Sequence, residues 1–112
     1  MNKDSKFVKV AEVSQIKNGQ NKVVYFYGRE VVIFHVNGQF YAMDNRCPHQ
    51  GGPLSEGEIE NNVLVCPWHG ARFDMTTGRG LPGPHKCDVR IYHVKIEDEN
   101  IKIAMSVKLP LR

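Results

Sequence analysis

Cys47-Pro48-His49-Gln50-Gly51-Gly52-Pro53-Leu54 and Cys66-Pro67-Trp68-His69-Gly70-Ala71 each offer one thiol and one imidazole, spaced Cys-x-His in the first and Cys-x-x-His in the second. Both begin Cys-Pro, and proline holds φ near one value where a ligand loop must be rigid. The glycines beside each histidine let backbone come close to a bulky centre without a Cβ in the way. Sixteen residues separate His49 from Cys66, enough for a pair of short strands that returns the second stretch to the side of the first.

Around these two stretches the chain reads as strands and turns. Lys22–Tyr27 and Glu30–Val36 are rich in Val, Ile, Phe and Tyr, with Gly28 placed for a tight turn between them. Asn37-Gly38 then precedes Gln39–Met43, and an Asn-Gly pair between two such runs is a strong hairpin signal, since both central residues of a type I′ turn need positive φ. Val63–Val65, Ala71–Asp74, Val89–Ile96 and Ile101–Ala104 are the remaining expected strands, the last two joined across Glu97-Asp98-Glu99-Asn100. No stretch supports a helix of three turns, and there is no repeat. Short strands at close spacing predict an all-β fold, an antiparallel β-sandwich or small barrel. Asn45–Glu56 and Cys66–Gly70 are then loops on a β scaffold, where function tends to sit.

Two sulfur ligands and two imidazoles suit either Zn²⁺ or an iron–sulfur centre. A single structural zinc would staple the two loops together. Zinc sites usually pair ligands of one turn across about two to five intervening residues. Cys-x-His is tight for that task, and is easier to satisfy when the two ligands diverge to different iron atoms. Spacing favours the binuclear cluster and leaves zinc open.

At 112 residues the chain suits one domain, expected to span 1–112. Its composition, 41% hydrophobic and 24% charged, is that of a globular protein and excludes whole-chain disorder. The net charge of +3 is mild and its basic residues are scattered, so no nucleic-acid partner is expected. The polar start Met1-Asn2-Lys3-Asp4-Ser5-Lys6 lacks a signal-peptide core, and no apolar run is long enough for a bilayer, so the expected location is cytoplasmic with no membrane partner. Three cysteines, an odd number, argue against a secreted disulfide framework.

The pattern Cys-x-His-x₁₆-Cys-x-x-His resembles the signature of Rieske iron–sulfur proteins. Phe40-Tyr41-Ala42-Met43-Asp44, Gly51-Gly52-Pro53-Leu54 and Cys66 through Asp74 are similar to soluble Rieske ferredoxins. Thr77-Gly78 and Gly80–Pro84 sit where that family has its proline-containing loop, and the resemblance extends from about Phe7 onward. It implies one [2Fe–2S] cluster, with Cys47 and Cys66 on one iron and His49 and His69 on the other, in a cluster-binding subdomain of about 44–84. Two ferric ions, two sulfides and two thiolates make a neutral oxidised core, which accepts an electron more readily than a core with four thiolates. Rieske potentials accordingly lie at about −150 to +300 mV, against about −400 mV for plant-type ferredoxins.

The resemblance further implies a soluble carrier passing single electrons from a flavin-containing reductase to a terminal oxygenase or similar enzyme, with no substrate chemistry of its own. An oxygenase would need a separate mononuclear iron domain, for which there is no room. The alternatives are the Rieske-fold small subunit of a larger enzyme such as a nitrite reductase, or the zinc protein. High-potential members carry an extra cysteine in each loop, joined as a disulfide, where this chain has Gly52 and Trp68. They also place Ser and Tyr hydroxyls near cluster and ligand sulfur, where this chain has Ala71 and Phe73, so a low potential is expected. Cys87 is expected to be an unreactive thiol, and His85 an ordinary surface residue near the proline-containing loop. His35 and His93 are expected to be structural or exposed, Trp68 to pack over its loop, and Glu97–Glu99 to be a solvated hairpin tip.

Overall fold

The computed structural model describes residues 7–48, 51–68, 70–83 and 87–105. Nine strands occupy them: β1 (Val8–Glu12), β2 (Asn21–Phe26), β3 (Arg29–Val36), β4 (Gln39–Asp44), β5 (Glu58–Glu60), β6 (Val63–Val65), β7 (Arg72–Asp74), β8 (Ile91–Glu97) and β9 (Asn100–Met105). The only helical elements among the described residues are two 3₁₀ turns, Val13–Gln15 and Leu54–Glu56. Six strands pair antiparallel in the order β1-β9-β8-β4-β3-β2, and β1 approaches β2 so that the sheet is nearly closed into a barrel. β5, β6 and β7 make a separate antiparallel sheet.

β3 explains how the two sheets share one molecule. Val31, Val32, Ile33 and Phe34 are all buried, as in a strand covered on both faces. Val31 and Ile33 point into the barrel with Phe26, Ala42, Ile101 and Ile103. Val32 and Phe34 point the other way and pack with Met43, Leu54, Leu64 and Phe73, and with Cys47 and Cys66. The three-stranded sheet thus lies on the outer face of the barrel, and the cysteines belong to the core between them.

The turns are built from local φ requirements. Asn37 and Gly38 have φ of 49° and 80°, as the Asn-Gly pair predicts, and Tyr27-Gly28 repeats this with 50° and 82°. Asn61-Asn62 and Asp98-Glu99 also place both residues at positive φ, so the last hairpin turns on two residues rather than four.

Several expected boundaries shift. β1 falls where no strand was expected, and β5 completes the pair of short strands expected between His49 and Cys66, although only Val63–Val65 was assigned a range. Each is held by pairing, β1 to β9 and β5 to β6, and β5 has a single apolar residue. The final long strand starts at Ile91, not Val89, because the Val89 N–H donates to the Gly78 carbonyl at 2.7 Å and not to a strand. Ala71 lies outside β7, because its carbonyl closes the loop that begins at Cys66. The acidic tip is more than a solvated turn: Glu97 accepts from Lys102 Nζ at 2.7 Å, which holds its carboxyl below the usual range.

Candidate metal centre

The first thiol loop leaves the end of β4 and returns at the 3₁₀ turn Leu54–Glu56. Asn45, 4% exposed, clasps both of its ends. Its N–H donates to the Glu30 carbonyl at 3.0 Å and its Nδ2 to Glu30 Oε1 at 3.1 Å. Its carbonyl and Oδ1 accept from the backbone N–H groups of Leu54 and Ser55, at 2.6 and 2.7 Å. Arg46 adds a brace, donating to Glu30 Oε2 at 3.1 Å and to the Gly51 carbonyl at 3.3 Å. These bonds hold the Glu30 carboxyl below the usual carboxylate range, the Asn45 bond contributing most.

The second loop joins β6 to β7, and its backbone wiring repeats that of the first. Cys47 N–H donates to the Gly52 carbonyl at 2.8 Å, and Gly51 N–H donates back to the Cys47 carbonyl at 2.7 Å. Cys66 N–H donates to the Ala71 carbonyl at 2.8 Å, and Gly70 N–H to the Cys66 carbonyl at 3.1 Å. Gly51 and Gly70 have φ of 80° and 73°, the left-handed region that glycine enters without a Cβ penalty. Two different sequences therefore make the same cysteine-headed turn, and the histidine falls one residue later in the second.

The two turns lie against each other. A Cβ placed on Gly52 would stand 2.9 Å from ring atoms of Trp68 and 3.3 Å from Cys66 Sγ. Cys47 and Cys66 are 2% and 1% exposed, while the Pro48 and Pro67 that follow them are exposed, so the thiols form the floor and the prolines the rim. A third segment backs the pair: Leu81 N–H donates to the Arg72 carbonyl at 2.8 Å and Gly80 N–H to Asp88 Oδ1 at 2.9 Å. Cys87 lies partly buried against the core that contains both loop cysteines.

Of the four expected ligands, the structure brings Cys47 and Cys66 into one buried cluster. His49 and His69 lie outside the described residues, as does His85. The donor set fits a cluster that takes two thiolates: both are buried, both head rigid turns, and the turns touch. Trp68 does pack over a loop, though over the first one, and it remains 55% exposed. His35 is structural, with Nδ1 2.8 Å from the Ile16 carbonyl and its ring stacked on Phe40, while His93 is exposed. Sequence reasoning missed the Glu30–Asn45–Arg46 clasp, which no local pattern announces because Glu30 lies on another strand.

Residues 6–93 match the family described as the Rieske [2Fe-2S] domain, and the chain belongs to that family. Its cofactor is a Rieske-type [2Fe–2S] cluster. Over 101 residues the chain is 35% identical to the ferredoxin component of the naphthalene 1,2-dioxygenase system of Pseudomonas putida, covering 90% of this chain and 97% of that one. Its fold is similar to the ferredoxin of carbazole 1,9a-dioxygenase from Nocardioides aromaticivorans IC177, with a TM-score of 0.82, 30% identity, and coverage of 90% of this chain and 99% of that one. It is also similar to a chain in a complex of reduced oxygenase and oxidised ferredoxin of carbazole 1,9a-dioxygenase, with a TM-score of 0.79, 28% identity, and coverage of 88% and 93%. Among the described residues no helix is long and apolar enough to cross a membrane.

Proposed function

We propose that this chain is the ferredoxin component of a ring-hydroxylating dioxygenase system, an electron carrier with no substrate chemistry of its own. Cys47 and Cys66 hold one iron of the cluster and His49 and His69 the other. The observation that supports the ligand set is the repeated cysteine turn: two buried thiols of one core cluster head loops that each contain one of the two histidines. The chain acts as one domain over residues 1–112, with about 44–84 as its cluster-binding part.

The cluster supplies reversible one-electron chemistry. This chain's residues exclude water from the thiol floor, through Leu54, Leu64 and Phe73, and keep the two turns in register through Asn45 and Arg46. A flavin-containing reductase is the proposed donor and a terminal oxygenase the proposed acceptor, with all three working in the cytoplasm. Similarity to relatives named as ferredoxin components, along nearly their whole length, supports that reading.

Iron and acid-labile sulfide analysis of the purified protein tests the ligand set. About two of each per chain are expected, as a binuclear centre requires. His49→Ala and His69→Ala should each abolish cluster retention, since one iron loses a protein ligand. A colourless protein with one zinc would overturn the reading. Reduction by a flavoprotein reductase followed by reoxidation with a Rieske oxygenase tests the carrier role, and no transfer to any such oxygenase would count against it.

A further inference from the structure

The contact between Gly52 and Trp68 crosses from one thiol loop to the other. A Cβ at residue 52 would stand 2.9 Å from both Cγ and Cδ2 of Trp68, closer than carbon atoms tolerate. Cγ and Cδ2 are the inner atoms of the side chain, so the indole cannot evade a methyl group there by a small swing of its tip. The Gly52 carbonyl is the acceptor that closes the Cys47 turn, and Trp68 lies inside the turn headed by Cys66. One aromatic face thus rests on the first turn while its own backbone belongs to the second. Over half of the indole stays open to solvent, so burial of the ring in a core is not what places it there.

We propose that Trp68 is a latch: a positioning residue that locks the two cysteine turns against each other and closes the thiol floor to water, with Gly52 as its seat. This rests on the ligand set proposed above and goes beyond it, because it assigns the relative placement of the two loops to one non-ligand pair. Its distinctive consequence is coupling. A methyl at residue 52 does harm by displacing the indole, so it does little once the indole is gone.

The test uses the cluster-loaded protein and compares Gly52→Ala, Trp68→Ala and the double variant. The rate of bleaching under an iron chelator and the reduction potential are both read. Each single variant should bleach several-fold faster and shift to a more positive potential, because water admitted to the site favours the reduced, charged core over the neutral oxidised one. The double variant should bleach no faster than Trp68→Ala. Rates that multiply would overturn the latch, as would a potential that moves in neither single variant. Should the alanine variants fail to take up a cluster, Gly52→Cys with Trp68→Cys, loaded in its oxidised form, carries the test instead.

A second arm replaces the contact by a bond. The 2.9 Å from a Cβ at residue 52 to a γ atom at residue 68 matches the separation of about 3 Å between a Cβ and the opposite sulfur of a disulfide. Gly52→Cys with Trp68→Cys should therefore close a bridge when oxidised glutathione takes up the two electrons and two protons and leaves as two thiols. Closure should return bleaching to the wild-type rate, and reduction should restore the fast rate. A pair that stays open, or closes without effect, would overturn the proposal. A wild type without two irons would instead sink the ligand set, so the two failures are distinguishable.

Discussion

Arg46 reaches Glu30 Oε2 at 3.1 Å across the end of β3, and its other terminal nitrogen holds the Gly51 carbonyl at 3.3 Å. Glu30 meanwhile takes the Nδ2 of buried Asn45 on its second oxygen. One carboxylate on the barrel thereby anchors the loop that carries Cys47. The two cationic and amide partners are unequal, because Arg46 is exposed and Asn45 is not.

Truncating each member of this clasp should reveal that inequality. Arg46→Ala removes an exposed ion pair and should cost about 0–1 kcal/mol. Glu30→Ala strands a buried amide donor as well and should cost more than Arg46→Ala. Urea denaturation of both variants, with cluster retention followed by visible absorbance, checks the order. Equal costs would show that Asn45 does not depend on Glu30.

Ala71 and Phe73 share the buried cluster with Cys47 and Cys66, and neither side chain can donate a hydrogen bond. The wild-type potential should therefore fall in the lower part of the Rieske range of about −150 to +300 mV. Ala71→Ser combined with Phe73→Tyr should move it upward, as donors to sulfur stabilise the reduced state. Protein-film voltammetry reads both. A wild type already near the top of the range would defeat the hydroxyl argument.

Leu64 is wholly buried between the barrel and the three-stranded sheet, in the same cluster as both cysteines. Leu64→Ala should cost about 2–5 kcal/mol by leaving a cavity. Because the cavity opens beside the thiols, cluster loss on mild heating should accelerate in the same variant. Barrel-side Ile103→Val should cost only about 0.5–1.5 kcal/mol and leave the rate of cluster loss unchanged.

Tyr92 plugs one end of the barrel, donating to Asp44 Oδ1 at 2.5 Å and accepting from Arg29 Nε at 3.2 Å. Burial and the Asp44 bond push its hydroxyl up to about 12. An unfolded tyrosine ionises near 10, so between pH 10 and 12 the unfolded chain has lost the proton that the folded one keeps. Stability should be fully present below pH 10 and fall as pH rises towards 12. Tyr92→Phe should be less stable at neutral pH and lack that alkaline component, which denaturation midpoints over pH 8 to 12 would show.

Some features of this protein are legible residue by residue. Asn37-Gly38 makes its turn because those two residues accept positive φ wherever they stand. The two thiol loops are equally local: proline after each cysteine and glycine four residues on build the same turn twice, and the spacing of Cys47, His49, Cys66 and His69 marks the family. The alternating and continuous apolar runs of β2 through β4 announce strands whatever they pair with.

The rest was settled only when the chain closed on itself. Glu58-Ile59-Glu60 has no strand character alone and becomes β5 by pairing with Val63–Val65. Val89 reads as strand, yet its N–H is taken by Gly78. Glu99 is held at a φ of 70° by the strands on either side, a conformation that glutamate rarely adopts alone. Glu30 finds Asn45 and Arg46 from another strand, and Trp68 finds Gly52 from another loop. Donor chemistry and turn preference belong to neighbouring residues and survive in the linear sequence. The meeting of two distant loops depends on which strands pair and in what register, and that was decided by burial across the whole molecule.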